Sequence, residues 1–303
     1  MNKTGFEEND EATTPHNGEH IPGGSKAVKS VLTFNASVID KNVVTVIKEP
    51  FQIMPSTRNY LTDATISKYP ESGNENLLIH MNYITRPFGD NAIESNSRVR
   101  YSLRQYCKLV QHLKTKDVLI HMPSNLNELR NLTQGLSVIN DELCSHGVHV
   151  HLEIACWSME LANELKANQS NAVECVSKFI DTILAGCARY EGKFSIVLDT
   201  AHLLANGCSA EKQMILFDKY RNHMKYAHLN GNLNGMFTSD SHVPIWHPKS
   251  RLVDFQTLSR HVSGLGLICV AEITKAGDNY DRWKQFSDSM GFELVNPHPA
   301  FST

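Results

Sequence analysis

Val150-His151-Leu152-Glu153 is a short apolar run that closes on a carboxylate, and the chain repeats that figure five more times. Toward the N-terminus come Val118-Leu119-Ile120-His121 and Leu77-Leu78-Ile79-His80. Toward the C-terminus come Ile196-Val197-Leu198-Asp199, Lys225-Tyr226-Ala227-His228 and Cys269-Val270-Ala271-Glu272. Each reads as a buried strand followed by a side chain of a metal-binding type. Parallel α/β barrels build their active sites at the C-terminal ends of such strands. The repeated figure therefore describes a parallel barrel with metals across its mouth.

The remaining units fit the same frame. Residues 31–34 and 50–54 are candidate first and second strands, and 77–81, 117–122, 148–155, 194–199, 224–229 and 266–273 supply the third to the eighth. Helical spacing appears between them, as in Val99, Leu103, Cys107, Val110 and Leu113 over 96–114. It recurs in Val173, Val176, Phe179, Ile180, Ile183 and Leu184 over 171–190. Strands alternating with helices imply a parallel sheet, and eight units imply closure. The expected fold is α/β, a single (β/α)8 TIM barrel over 27–303. Residues 1–26 are polar and nearly free of large apolar groups, so they read as a flexible, slightly acidic tail. The longest stretch without regular pattern is 230–253, and long βα loops are where barrel function concentrates.

Composition narrows the function classes. A chain of 303 residues with 41% hydrophobic and 20% charged residues is an ordinary globular protein of one-barrel size. The formal charge of -3 gives no global basic signal, so any attraction to nucleic acid must be local. Bound divalent cations can supply part of it. Seven cysteines, an odd number with no CxxC pair, read as reduced core thiols of an intracellular protein. No run suits a membrane span or a secretory signal, and the expected protein is a monomer away from membranes.

Glu153, Asp199, His228 and Glu272 lie at successive strand ends, and carboxylates with imidazole so placed can converge on one divalent ion. Four buried polar ends without partners would be costly, which favours a cation over core polarity. His80 and His121 end the strands just before Glu153, and a carboxylate between two metals can bridge them. His202 follows Asp199 by three residues, and Asp240-Ser241-His242 sits in the long loop. In extended chain Asp240 and His242 project to one side and can clamp a third ion with His202. His149 and His151 share a strand face with Glu153, and packed, hydrogen-bonded core histidines are the simpler reading.

As a set these residues resemble the endonuclease IV family, the trinuclear zinc apurinic/apyrimidinic endonucleases with a xylose-isomerase-like barrel. The resemblance runs from about residue 50 to residue 273. It rests on HxxY at His80–Tyr83, His121-Met122-Pro123, Glu153, LDTAH at 198–202 with Gly207, His228-Leu229-Asn230, Asp240-Ser241-His242 and Ala271-Glu272. It implies one zinc on His80, His121 and Glu153, a second on Glu153, Asp199, His228 and Glu272, and a third on His202, Asp240 and His242. Mn2+ is a candidate occupant of one position. It also implies duplex DNA with abasic sites as partner, with Tyr83 pressing into the duplex and Arg58 entering the stack. Lys249 and Arg251 in the long loop are further phosphate candidates.

The chain departs from the family pattern at Phe34-Asn35-Ala36-Ser37, at Ile154-Ala155-Cys156-Trp157, at Ser241 and at Val243–Pro248. These changes describe a divergent member and touch loops expected to face DNA. The reaction implied is hydrolysis of the phosphodiester 5′ to an abasic site, leaving a 3′-hydroxyl and a 5′-deoxyribose phosphate. Glu153 would position the attacking hydroxide and Glu272 would steer the proton. A sugar isomerase or epimerase on the same barrel would share Glu153, Asp199, His228 and Glu272 but has no use for His202, Asp240 and His242. A DNA-binding protein of this fold with lost chemistry is the third reading.

Overall fold

Branched aliphatic residues dominate the repeated runs, and such residues suit a pleated surface buried on both faces. The computed structural model describes residues 29–36, 49–55, 59–89, 96–167, 171–239, 241–272 and 280–295. Within them the runs are strands β1 (Val31–Ala36), β2 (Phe51–Ile53), β3 (Leu77–His80), β4 (Asp117–His121), β5 (His149–Glu153), β6 (Phe194–Asp199) and β7 (Tyr226–His228). A two-residue antiparallel pair follows, β8 (Gly231–Asn232) with β9 (His242–Val243), and then β10 (Ile268–Ala271) and β11 (Glu293–Leu294). The large sheet runs β10-β7-β6-β5-β4-β3-β2-β1-β11 with parallel pairing throughout, and β10 also pairs with β1. The sheet therefore curls, with helices packed outside it, into a TIM-barrel-like α/β fold.

Period two sorts every strand into an outer and an inner set. Leu77, Ile79, Val118, Ile120, Val150, Leu152, Ile196 and Leu198 join the large core shared with the helices. Leu78, Leu119, Val197 and Tyr226 form a separate small cluster, with Ile268 packed against it. That cluster is the inner plug, and the next residue of the same phase on each strand is His80, His121, Asp199 and His228. The alternation thus aims the polar strand ends at one another above a dry floor. The helices Asn96–Leu113 and Ala172–Cys187 bury the apolar stripes read from the sequence, including Leu103, Val110, Val176, Phe179 and Ile183.

Beneath the plug lies a second polar layer. Asp117 receives Lys225 Nζ at 2.5 Å and the Tyr226 hydroxyl at 2.8 Å on one oxygen, and His151 Nε2 at 2.9 Å on the other. His151 Nδ1 meets Ser195 Oγ at 2.5 Å. The core reading of His151 holds, while His149 is exposed. Two features were not expected from the sequence. The 230–253 stretch contains the β8–β9 hairpin, and β11 adds to the sheet through Val31↔Glu293 and Leu32↔Leu294. The expected tail, 1–26, lies outside the described residues. Among the described residues no helix is long and apolar enough to cross a membrane.

Candidate metal centre

Three groups of donors gather at the C-terminal end of the sheet. His80, His121 and Glu153 form the first; Glu153, Asp199, His228 and Glu272 the second; Asp199, His202 and His242 the third. The first two are the groupings expected from the sequence. The third brings together His202 and His242, two of the three residues expected there, and adds Asp199 to them. Asp240, the remaining residue expected there, lies outside the described residues. Glu153 and Asp199 are therefore each shared by two groups, which links all three into one chain of donors.

Hydrogen bonds fix which ring nitrogen His80, His202 and His228 offer. His80 Nδ1 donates to the Met81 carbonyl at 2.7 Å, so Nε2 keeps a lone pair. That atom and Glu153 Oε2 stand 3.3 Å apart, both buried and without a hydrogen-bond partner. Two acceptors facing each other in a dry site are repulsive unless a cation lies between them. His202 Nδ1 donates to the Ile154 carbonyl at 2.6 Å, which turns its Nε2 toward His242 Nε2 at 3.3 Å. Gln52 orients the second group. Its amide donates to Glu272 Oε1 at 2.5 Å, and its carbonyl accepts from His228 Nε2 at 2.9 Å. His228 Nδ1 then faces three carboxylate oxygens, Glu153 Oε1 at 2.8 Å, Glu272 Oε2 at 3.2 Å and Asp199 Oδ2 at 3.6 Å. Donors about 2.0–2.2 Å from a tetrahedral zinc stand roughly 3.3–3.6 Å from one another. The donor spacings here run from 2.8 to 3.8 Å, on both sides of that range, and small side-chain shifts bring the residues to fit such ions.

The local chain makes these placements rigid. Asp199 closes β6 and caps the helix Thr200–Ala205, its Oδ1 accepting from the N–H groups of Ala201 at 2.6 Å and His202 at 2.9 Å. Its other oxygen, Oδ2, accepts from Asn230 Nδ2 at 2.6 Å and faces His228. Asn230 Oδ1 in turn accepts from the Glu272 N–H at 2.9 Å. Gln52 and Asn230 are the orienting residues that sequence reasoning did not single out as site residues. The one signal for Gln52 was a polar residue inside the apolar strand Phe51-Gln52-Ile53.

Charge follows burial. Desolvation by itself pushes the Glu153 carboxyl up, but His228 and His121 overcome it and hold the group well below its ordinary value. Asp199 is likewise buried, and His202 and His242 bring it below the usual range. Burial depresses His121. At His228 burial acts the same way, yet Glu272 and Glu153 lift the ring well above an ordinary histidine. His228 thus shows how strongly this carboxylate-rich pocket favours positive charge.

The remaining expected residues lie around this centre. Tyr83 is 50% exposed and stacks on His121 with centroids 5.0 Å apart. A cavity of about 250 Å³ opens beside it, lined by Phe88, Met122, Cys156 and His202 among others. Lys249 and Arg251 are exposed on the segment that follows β9. Arg58 lies outside the described residues. Arg86, in the loop after β3, is ion-paired to Glu128.

Sequence comparison matches the chain to no family model and to no curated relative. Its fold does have solved counterparts. Endonuclease IV from Thermus thermophilus superposes with a TM-score of 0.60 at 16% identity, over 86% of this chain and 98% of that one. A D-tagatose 3-epimerase-like protein gives 0.56 at 13% identity, over 86% and 97%. The IolI protein, crystallised with a binding zinc atom, gives 0.50 at 12% identity, over 86% and 94%. The chain thus shares a TIM-barrel-like α/β fold with endonuclease IV and with a D-tagatose 3-epimerase-like protein.

Proposed function

We propose that this protein is a zinc-dependent apurinic/apyrimidinic endonuclease, built on a closed (β/α)8 barrel, that hydrolyses the DNA phosphodiester 5′ to an abasic site. The observation that carries this reading is the third donor group. Asp199, His202 and His242 bring a carboxylate and two imidazoles together beside a second group that is already complete with four donors. An epimerase that works with one or two ions has no use for it. The pairing of β1 with both β2 and β10 supports the closed barrel.

His80, His121 and Glu153 would hold one ion, Glu153, Asp199, His228 and Glu272 a second, and Asp199, His202 and His242, joined by Asp240, a third. Bound zinc supplies Lewis acidity at phosphoryl oxygens and lowers the pKa of water. Glu153 spans the first two groups, with Oε2 toward His80 and His121 and Oε1 toward His228. It is the residue that orients the nucleophile. Glu272 Oε2 lies between His228 and His242, at 3.2 and 3.4 Å, where it can steer the departing proton. Tyr83 stands at the mouth, positioned to press against a neighbouring base, and Lys249 and Arg251 offer positive charge to phosphates. An abasic nucleotide swings out of the helix at low cost because no base must unstack.

The second group alone suits a sugar epimerase, and the D-tagatose 3-epimerase-like neighbour favours that alternative. The two are separated by offering the zinc-loaded protein a duplex with one tetrahydrofuran abasic analogue and, separately, a panel of ketoses. Nicking 5′ to the analogue, abolished by chelator and restored by zinc, is the expected result. Ketose turnover without nicking assigns the epimerase, and duplex binding without either activity assigns a binding protein.

A further inference from the structure

His202 and His242 sit on separate segments, one on the helix Thr200–Ala205 and one at the start of β9. Something must hold the loop against the helix for their rings to meet. Phe237 does so in three ways. Its N–H donates to the Ala205 carbonyl at 2.6 Å, at the end of that helix. Its ring covers Gly207 so closely that a Cβ there would stand 2.5 and 2.6 Å from ring carbons. Lys166 Nζ caps the ring at 3.3 Å from the centroid.

Gly207 is required by its backbone as well. Its φ is +92°, and it ends the helix with Gly207 N–H to Leu204 and Cys208 N–H to Leu203, both 2.9 Å. This is the paired bonding of a glycine-terminated helix. Phe237 itself has φ +60°, a conformation that side-chain-bearing residues rarely adopt and that surrounding contacts must hold. Around it the hairpin is tied down by Asn232, the cross-strand partner of His242. Asn232 Nδ2 donates to the Ala201 carbonyl at 3.2 Å, and Ser241 Oγ accepts from the Leu233 N–H at 2.9 Å.

We propose that Phe237, seated on Gly207 and capped by Lys166, is a positioning residue that holds His242 against His202 and so completes the third metal position. The inference rests on the three-ion reading above, and its test separates the two. Full-length wild type, Phe237→Ala, Phe237→Tyr and Gly207→Ala are loaded with zinc and dialysed against buffers of graded chelator strength. Metal per chain is then counted by mass spectrometry, with circular dichroism to check the fold. Phe237 is 41% exposed, so its truncation leaves the core intact.

Wild type should retain three ions under conditions where Phe237→Ala retains two. The third should be about tenfold or more weaker, the scale on which groups behind a ligand act. Phe237→Tyr should restore three, and folded Gly207→Ala should behave like Phe237→Ala. Equal retention in wild type and Phe237→Ala overturns the proposal, as does parallel loss of all three ions. A wild type that never exceeds two ions overturns the three-ion reading and removes the basis of the proposal.

Discussion

His228 illustrates how much one amide decides. With Nε2–H directed to Gln52, its other nitrogen is left to three carboxylates; without Gln52 the ring is free to present either nitrogen. Gln52→Leu should therefore weaken the ion at the second group by about 10–100-fold, read by competition with a chromogenic chelator, while the fold persists. His242→Ala removes a donor outright. It should cost one ion per chain and slow cleavage of an abasic duplex by about 100-fold or more, and normal metal content in that variant would count against the third position. The strand-end ligands were legible because period-two alternation marks which residue faces inward. Gln52 was not, since a lone glutamine in an apolar strand has no signature until its partners, 220 and 176 positions away in sequence, are seen beside it. Asp199 was read as a ligand of one group, but sequence spacing could not reveal that its capping geometry also turns it toward His202 and His242.

The strands carry a second device at their opposite ends. Asp117 opens β4, His151 lies in β5, and Lys225 and Tyr226 begin the seventh unit, so one buried carboxylate cross-links three units of the barrel floor. Removing one member of a buried ion pair strands the other, so Asp117→Asn should destabilise the protein by about 3 kcal/mol in urea unfolding. The network also sets a pH dependence. Burial depresses His151 below an ordinary histidine, with Asp117 only partly countering it. The unfolded ring takes up a proton near pH 6.5 while the folded one resists it. The stability from this site is therefore present above about pH 6.5 and lost as pH falls below it. Burial opposes the ionised form of Asp117 too, yet His151 and Lys225 hold the carboxyl down, so its share is lost only at more acid pH. The melting temperature of wild type should fall more steeply between pH 7 and 5 than that of His151→Gln, and identical slopes would remove His151 as the cause. This floor was partly legible, since His151 was read as a packed core histidine. The hairpin of the long loop was not, because two-residue strands leave no periodicity.

At the scale of the molecule, sequence periodicity predicted a parallel sheet with helices outside, and the repeated strand-end figure predicted where a site would form. What it could not supply was the sharing of Asp199 between the second and third groups, which depends on the curl of the sheet. That sharing packs three buried carboxylates into one pocket, and stability should depend on cations there. A ligand bound at 100 times its Kd stabilises by about 2.7 kcal/mol, so removing zinc with chelator should lower the melting temperature by several degrees. A chelator-insensitive melting temperature would argue against metals seated in the core of the site.

The most direct test is a zinc-edge anomalous difference map from crystals grown with zinc. Three peaks are expected, one beside His80, His121 and Glu153, one among Glu153, Asp199, His228 and Glu272, and one between His202 and His242 with Asp199. A single peak among Glu153, Asp199, His228 and Glu272, with nothing between His202 and His242, would contradict the account.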